Sequence, residues 1–308
     1  MKPQTSALTP YLFLLPALSV LSFTIFWPAL QAFYFSFTRF DRLDQPPTWI
    51  GLDNFQRLWS DEVFWKALGN TLIYLVGVVP FLVVVPLGLA ILVNRQLRGM
   101  YWFRTAYYTP VVISMVVAGL AWKWLYAEQG LLNQGLAFLA QTPLLKLGLS
   151  LLGLSETDII SLSNDGIPWL TEFGLFCVMV VTIWKGLGYY MVIYLAGLQA
   201  IPADLYEAAA IDGSDGLQKH WDITVPLMQP YLLLVAVMSA ISATKVFEEI
   251  FVMTQGQPAH SSTTIVYYLY EQAFGELEYS YGCTIGLVLF LIIFGLSILN
   301  LKLGQLRG

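Results

Sequence analysis

The sequence predicts an all-α membrane protein with six transmembrane helices. Its 308 residues are 57% hydrophobic and only 11% charged, and the mean hydropathy is +0.66. A water-soluble domain carries about 25% charged residues, so this chain lacks the polar side chains needed to cover a surface in water. A helix needs roughly 20 apolar residues to cross the bilayer core. Six stretches meet that length, near residues 11–37, 68–94, 105–126, 172–197, 227–253 and 281–301.

Several function classes are disfavoured by composition. The net charge of −5 and the lack of a basic cluster argue against nucleic acid as a partner. Cys177 and Cys283 fall in apolar stretches and are interpreted as packing residues, while His220 and His260 are isolated, so we predict no metal site. The sequence contains no Gly-x-x-x-x-Gly-Lys-Ser/Thr loop that would cradle a nucleotide phosphate. No nucleophile-and-base set indicates an enzyme.

The distribution of lysine and arginine predicts the orientation. Segment 95–104 carries three arginines and no acid, and further basic residues flank the first and last apolar stretches. Because basic loops stay in the cytoplasm, both termini, segment 95–104 and the loop 198–226 are predicted to be cytoplasmic. The long loop 127–171 then lies on the extracytoplasmic side of the membrane, and we expect one or two short amphipathic helices in it, at the membrane surface.

The loop between the fourth and fifth apolar stretches is acidic and rich in small residues. It reads Glu207-Ala208-Ala209-Ala210-Ile211-Asp212-Gly213 and then Ile223-Thr224-Val225-Pro226. The alanines favour a short helix, and the glycine ends it in a left-handed conformation. A cytoplasmic loop that touches anionic lipid is expected to be basic, yet this one has five acids and one lysine from 203 to 226. The pattern favours docking to a soluble partner over merely solvated loop charges.

These residues resemble the coupling-loop signature Glu-Ala-Ala…Gly…Ile-x-Leu-Pro of permease subunits of binding-protein-dependent, ATP-driven (ABC) importers. Val225 replaces the leucine of that pattern. Further similarity to the sugar-type branch, which includes maltose and glycerol-phosphate permeases, extends over most of the chain. It covers Gly51-Leu52-Asp53-Asn54-Phe55, Asn70-Thr71-Leu72, Trp184-Lys185-Gly186-Leu187-Gly188-Tyr189, Leu195–Pro202, and Phe247-Glu248. Gln255 and Gln257 flank a single glycine where that branch has a Thr-Gly-Gly-Pro loop.

The resemblance implies a type I ABC importer transmembrane domain with a cytoplasmic coupling helix. An N-terminal helix and extracytoplasmic loop would occupy residues 1–66, and the core would occupy 67–303 with the coupling loop at 199–226. The resemblance places this chain in the bacterial inner membrane. The partners that it implies are a second homologous permease, a cytoplasmic ATPase dimer that holds ATP and Mg, and an extracytoplasmic solute-binding protein. This chain itself would be no enzyme and hold no cofactor. Coupling to the ATPase is then expected of Glu207, Ala208, Ala209, Asp212, Gly213 and Pro226.

Charged side chains inside apolar stretches are costly in lipid and are expected to face protein or a cavity. Lys245 and Glu249 are four residues apart, so a structural ion pair on one helix is the alternative to a cavity-lining role. A sugar site combines aromatic ring faces with hydrogen-bonding groups. The candidates for a solute path are Asn70, Trp184, Tyr189, Tyr190, Lys245, Glu248 and Glu249.

Two alternatives remain open at this stage. The same architecture is compatible with a polyol, a glycerol phosphate or a polyamine as solute, although a phosphorylated solute favours more arginine or lysine than the apolar stretches contain. An ion-driven secondary transporter is the second alternative. It predicts an inverted repeat together with acids at the membrane midplane, and the sequence has no such repeat.

Overall fold

A computed structural model of the chain describes residues 9–40, 46–94, 99–140 and 166–305. The chain divides into two compact units, residues 1–64 with 268–295, and residues 65–267 with 296–308. The division into 1–66 and 67–303 expected from the sequence stays a prediction. Two parts of the chain that carry sequence-based predictions lie outside the described residues. They are Arg95 with Arg98, and residues 141–165 in the middle of the loop 127–171.

Helices and one short hairpin make up the regular structure of the described residues. In chain order they are α1 (Thr9–Leu21), α2 (Trp27–Phe35), β1 (Thr38–Arg39), β2 (Thr48–Trp49), α3 (Asp53–Ser60), α4 (Glu62–Val93), α5 (Met100–Val112), α6 (Met115–Leu125), α7 (Leu131–Ala140), α8 (Trp169–Glu172), α9 (Gly174–Gln199), α10 (Ala203–Ile211), α11 (Val225–Leu227), α12 (Gln229–Thr244), α13 (Glu248–Met253), α14 (Ile265–Tyr270) and α15 (Tyr279–Gln305). Single π-helical turns lie at Ser22–Phe26, His220–Thr224 and Glu271–Gly275.

The six apolar stretches of the sequence all coincide with helical segments. Among the described residues, three stretches are long and apolar enough to cross a membrane, Tyr11–Phe35, α4 and α9. Two bent pairs reach that length if each forms one crossing: α5 with α6, bent by 99°, and His220–Leu227 with α12, bent by 60°. The last helix contributes the shorter apolar stretch Tyr279–Gly295. The fold is therefore helical and membrane-type, and the number of six crossings stays a prediction.

Two of the predicted crossings are broken helices. The stretch 105–126 divides where Ile113 and Ser114 adopt extended backbone, with ψ of 134° and 148°. The Ser114 hydroxyl then caps α6 by accepting the N–H of Val117 at 3.4 Å. The stretch 227–253 divides at residues 245–247, between α12 and α13. Hydropathy reports burial in lipid and carries no information on backbone dihedral angles, so the sequence predicts continuous helices here.

In the first unit, the Gly-Leu-Asp-Asn-Phe motif fastens the hairpin. The Asn54 side chain is buried, and its Nδ2 donates to the carbonyl oxygens of Ser36 at 3.1 Å and Thr38 at 3.0 Å. The ring of Phe37 stacks on Trp49, with centroids 5.7 Å apart. The motif therefore has a structural role: its amide satisfies the backbone carbonyl groups at the end of α2 and the start of β1.

Asp61 caps α4 and binds two tyrosines of the same unit. Its Oδ1 accepts the backbone N–H groups of Val63 at 2.9 Å and Phe64 at 3.2 Å, and its Oδ2 accepts the hydroxyls of Tyr268 and Tyr281. Burial alone would raise the pKa of Asp61, but these hydrogen bonds favour the ionised carboxylate and lower the pKa below its ordinary value. The resulting stabilisation is present above the unfolded-state pKa and is lost as the pH falls through the lowered pKa.

In the second unit, glycines on α9 allow close helix packing. A Cβ atom at Gly188 would lie 2.1 Å from the carbonyl oxygen of Tyr107 on α5, and one at Gly197 would lie 2.8 Å from the ring of Tyr231 on α12. A side chain at either position would overlap its neighbour. The Trp-Lys-Gly-Leu-Gly-Tyr motif thus includes a glycine that backbone contact with α5 requires.

The loop between α13 and α14 is fastened to α4 by polar side chains. Asn70 Nδ2 donates to the carbonyl oxygens of His260 at 3.1 Å and Thr263 at 2.9 Å, and Lys66 Nζ donates to the carbonyl oxygen of Ala259 at 2.6 Å. Asn70 is itself buried. The asparagine that the sequence suggested for a solute path therefore satisfies the backbone of this loop.

We predict that Gly188→Val destabilises the second unit, because the added side chain would push α5 away from α9. Overpacking of this kind costs about 1–3 kcal/mol. The thermal unfolding midpoint of the purified protein in detergent should fall. Gly69→Ala is the matched control, since a Cβ at Gly69 meets no atom within 4 Å. An unchanged midpoint in Gly188→Val would contradict the contact with α5.

We also predict that Asp61→Ala destabilises the first unit by about 1 kcal/mol or more, through loss of the helix cap. The deficit should be present at neutral pH and should shrink as the pH falls below the unfolded-state pKa and through the lowered pKa of the folded-state carboxylate. Thermal unfolding across a pH series measures both effects. The exposed neighbour Glu62→Ala is the control. A deficit that does not depend on pH would show that the ionised carboxylate is not the stabilising group.

Candidate functional site

A cavity of about 490 Å³ opens in the second unit among α4, α5, α6, α9 and the residues around the break between α12 and α13. Five of the residues expected on a solute path line it, and they are Tyr189, Tyr190, Lys245, Glu248 and Glu249. Further polar lining comes from Thr182, Lys185 and Ser242. The cavity thus brings together charged and aromatic side chains from helices that are otherwise apolar.

Two of the sequence candidates are not among the lining residues. Asn70 fastens the loop between α13 and α14. Trp184 packs edge to face against Trp122, with ring centroids 5.6 Å apart and an interplanar angle of 65°. Its ring contributes to packing between α6 and α9 in the part of the chain that the structure describes.

Both helix breaks border the cavity. Val111 and Met115 lie on either side of the break between α5 and α6, and residues 245–247 form the break between α12 and α13. Backbone N–H and C=O groups that leave a helix need other partners, which hydrocarbon does not supply. Irregular backbone at membrane depth is tolerated where it lines a cavity, and the positions of both breaks fit that rule.

Lys245 and Glu249 do not form the ion pair that their spacing suggested. Lys245 lies at the C-terminal end of α12 and Glu249 in the first turn of α13, so the two do not share one continuous helix. No ion pair within 4.0 Å joins them in the described part of the chain. Residues four apart are neighbours only on a continuous helix, and the break between α12 and α13 removes that condition.

Glu249 is held by a chain of two hydroxyl groups. Tyr74, which is fully buried, donates its hydroxyl to Thr182 Oγ1 at 2.6 Å, and Thr182 Oγ1 donates to Glu249 Oε1 at 3.4 Å. The chain runs from α4 through α9 to α13. Because each hydroxyl has one proton to donate, both point toward the carboxylate.

An aromatic wall lies beside these charges. The rings of Tyr189 and Tyr190 meet edge to face with centroids 5.1 Å apart, and Phe247 stacks on Phe251 at 5.5 Å. Both tyrosines line the cavity. The side chain of Tyr189 is exposed, whereas that of Tyr190 is buried. Ring faces of this kind bind apolar faces of a ligand, and the nearby charged groups bind its polar edge.

The acidic segment forms the short helix and the left-handed glycine that the sequence predicts. Helix α10 follows Pro202 and ends at Ile211, and Gly213, two residues later, has a φ of +86°. The N–H of Ser214 donates to the carbonyl oxygen of Ala209 at 2.9 Å, and that of Gly213 donates to Ala210 at 3.2 Å. This hydrogen-bond pattern with a left-handed glycine is the Schellman end of a helix, and a β-branched residue would be strained there.

Most residues of this segment are exposed. Ala209 is buried, while the other residues predicted for coupling, Glu207, Ala208, Asp212, Gly213 and Pro226, are exposed. Three apolar side chains are exposed with them: Ile211 by 87%, Leu217 by 81% and Trp221 by 72%. The sequence candidates did not include these three. The sequence offered one signal for them, because large apolar residues within an acidic loop indicate a surface that a partner covers.

Two side-chain contacts join α10 and its turn to the segment that leads into α12. The hydroxyl of Tyr206 lies 3.1 Å from Thr224 Oγ1, and His220 Nδ1 lies 3.0 Å from the same atom. Ser214 Oγ donates to Asp222 Oδ2 at 2.6 Å. Thr224 is fully buried. The helix is therefore tied to the π-helical turn His220–Thr224 that precedes α11 and α12.

Among the residues that the structure describes, no group of three or more His, Cys, Asp or Glu side chains is placed to hold a metal ion. The chemistry available in the cavity is that of binding: ammonium donors, carboxylate acceptors, hydroxyl groups and aromatic rings.

Residues 62–302 match the family described as "Binding-protein-dependent transport system inner membrane component". The arabinooligosaccharides transport system permease protein of Bacillus subtilis (strain 168) is 34% identical over 304 residues, which cover 97% of this chain and 90% of that protein. The sn-glycerol-3-phosphate transport system permease protein of Yersinia pestis bv. Antiqua (strain Antiqua) is 30% identical, over 95% of this chain and 92% of that protein.

The fold has a counterpart among solved structures. A chain of a bacterial ABC transporter involved in the import of the acidic polysaccharide alginate superimposes with a TM-score of 0.74 at 25% identity, covering 95% of this chain and 94% of that chain. The matched family covers α4 through most of α15, and therefore includes both the cavity and the acidic segment. The chain belongs to the family of inner membrane components of binding-protein-dependent transport systems.

Proposed function

We propose that the chain is a permease subunit of an ATP-driven importer and forms half of the translocation pathway for a sugar or sugar-like solute. The cavity is the observation that carries the proposal, because charged and aromatic side chains line it inside apolar helices. Ionisable residues at membrane depth mark solute pathways. The arabinooligosaccharide permease among the relatives supports a sugar as the solute.

In this proposal the six apolar stretches cross the inner membrane, and each broken helix makes one crossing. Both termini and the loop 199–226 face the cytoplasm, as the arginine-rich segment 95–104 favours. The loop 127–171 and the loop between α13 and α14 are then extracytoplasmic. The two breaks at the cavity fit this arrangement, since discontinuous helices surround the solute sites of many transporters.

The partners in this proposal are a second homologous permease, an ATPase dimer and an extracytoplasmic solute-binding protein. ATP and Mg belong to the ATPase, because this chain has no phosphate-binding loop. The description of the matched family supports the dependence on a binding protein. The other half of the pathway comes from the second permease.

The segment 199–226 is proposed to dock into a groove of the ATPase. Its exposed apolar side chains, Ile211, Leu217 and Trp221, would be covered there, and burying them supplies the affinity. Glu207 and Asp212 are exposed on the same segment and would pair with cations or backbone N–H groups of the groove. The exposed alanine Ala208 allows the two backbones to approach closely.

Movement of α10 would reach the pathway through the contacts around Thr224. Tyr206 joins α10 to this buried threonine, and Ser214 joins the glycine turn to Asp222. The segment continues through α11 into α12, and the C-terminal end of α12 reaches the cavity at Ser242. A displaced α10 therefore pulls on a helix that borders the cavity.

Reconstitution tests the proposal directly. The chain is expressed with its neighbouring permease, ATPase and binding protein, and the complex is purified and placed in proteoliposomes. We expect the ATPase to co-purify and its activity to rise when solute-loaded binding protein is added. Isolation of this chain alone in a transport-competent state would instead favour an ion-driven transporter.

Gly213→Val is predicted to uncouple the complex. Valine is strained at a φ of +86°, at a cost of about 1–2 kcal/mol, and the turn after α10 would change direction. We expect reduced co-purification of the ATPase, or loss of the stimulation by solute-loaded binding protein. Gly69→Ala, a glycine replacement in open space on α4, should retain both. Normal values for both measurements in Gly213→Val would contradict the docking role.

Tyr206→Phe is predicted to weaken coupling without affecting assembly. The change removes one hydroxyl and with it the bond to Thr224, worth about 1 kcal/mol, so the stimulated ATPase rate should fall about fivefold. Tyr231→Phe on α12 is the matched control, since no hydrogen bond of its hydroxyl occurs in the described chain. Equal stimulation in the two variants would show that the Tyr206 contact does not transmit the movement.

A further inference from the structure

The cavity contains equal numbers of positive and negative side chains. Lys185 and Lys245 contribute two ammonium groups, and Glu248 and Glu249 contribute two carboxylates. All four lie in helices or helix breaks that the proposed function places at membrane depth, where unpaired charge is costly. A cavity that attracts an anion would have more positive than negative side chains. In this cavity the two lysines are matched by two glutamates, so there is no excess of positive charge.

The carboxylate of Glu249 is fixed in place. Thr182 donates to it from α9, and the buried hydroxyl of Tyr74 orients Thr182 from α4. The carboxylate therefore contacts α9 directly, and α4 is connected to it only through Thr182. Glu248, which is exposed, precedes it and lines the same cavity. Two acceptors thus face the space that a solute would occupy.

This lining fits an uncharged polyhydroxyl compound. Carboxylates accept the protons of sugar hydroxyl groups, ammonium groups donate to sugar oxygens, and the exposed ring of Tyr189 offers a flat apolar face. A uronate or a phosphate would meet no net positive charge among these four side chains, so the lining would not offset the loss of hydration of the anion. The relatives do not decide the matter, because they include carriers named for arabinooligosaccharides and for glycerol-3-phosphate, and the structural neighbour is involved in the import of the acidic polysaccharide alginate.

We infer that Glu248 and Glu249 select the solute by charge: they cancel the charge of Lys185 and Lys245, so that the cavity admits neutral sugars and disfavours anionic ones. The inference rests on the proposed function, which makes this cavity the solute path. It assigns Glu249 a role in specificity that depends on the hydroxyl chain from Tyr74.

The charge of the cavity is measurable without any solute. Ser242, which lines the cavity, is replaced by cysteine in the complete reconstituted complex. The thiol is exposed to two methanethiosulfonate reagents of similar size, one uncharged and one carrying a sulfonate. The modification rate of each reagent is corrected by subtracting the rate measured with the complex that retains Ser242. The corrected rate is then divided by the rate at which the same reagent modifies a free thiol in solution. The ratio of the two values cancels changes in thiol ionisation.

In the otherwise unaltered cavity, we expect the sulfonate reagent to react no faster than the uncharged reagent. Replacing both carboxylates, with Glu248→Gln and Glu249→Gln, leaves two lysines unopposed and should raise the relative rate of the sulfonate reagent about tenfold. Each carboxamide keeps the size of the side chain it replaces. Glu172→Gln, which removes an exposed carboxylate that does not line the cavity, is the control and should leave the ratio unchanged.

A sulfonate reagent that is already favoured in the unaltered cavity would overturn the inference, and so would an unchanged ratio in the double variant. In both cases the cavity would still be open to water, and the proposed function would survive. A cysteine at position 242 that reacts with neither reagent would instead remove the cavity from the solute path, and the proposed function would fail together with the inference.

Discussion

Polar groups at membrane depth must find partners inside the protein, because hydrocarbon offers none. That constraint accounts for where this chain is irregular. Both helix breaks, at residues 113–114 and 245–247, border one cavity, and Lys185 of α9, Lys245 of the second break and the two glutamates of α13 line it. Away from the cavity, polar side chains such as Asn70 serve the backbone of nearby loops. The cavity is therefore the place where the apolar helices bring their polar groups together.

Close packing and hydrogen bonding connect this cavity to the surface segment. Glycines on α9 allow α5 and α12 to lie against it, so that α9 provides a rigid wall for the cavity. The Thr224 contacts lie in the segment His220–Leu227, which meets α12 at a bend of 60°, and α12 reaches the cavity at Ser242. One bend and the helix α12 thus lie between the segment proposed to bind the ATPase and the space proposed to hold the solute. Coupling over this distance requires a rigid element with few joints, and α12 is continuous over its 16 residues.

Much of this architecture is predictable from the sequence, for physical reasons. Hydropathy locates the helices because burial in lipid demands long apolar runs, and Gly213 predicts its turn because few other residues adopt a positive φ. The helix breaks depend on backbone dihedral angles that hydropathy does not report. For that reason the ion pair of Lys245 with Glu249, one of two alternatives drawn from their spacing, does not form. Asn70 was suggested for a solute path because its side chain is polar, whereas its hydrogen bonds to the carbonyl oxygens of His260 and Thr263 depend on the fold and are not visible in the sequence.

The central claim is that ATP hydrolysis in a partner subunit drives solute through the cavity of this chain. Uptake of radiolabelled sugar into proteoliposomes that contain the complete complex tests it most directly. The account predicts uptake that requires both ATP inside the vesicle and binding protein outside, and that persists when proton and sodium gradients are abolished. Uptake that proceeds without ATP and stops when the ion gradient is removed would contradict it.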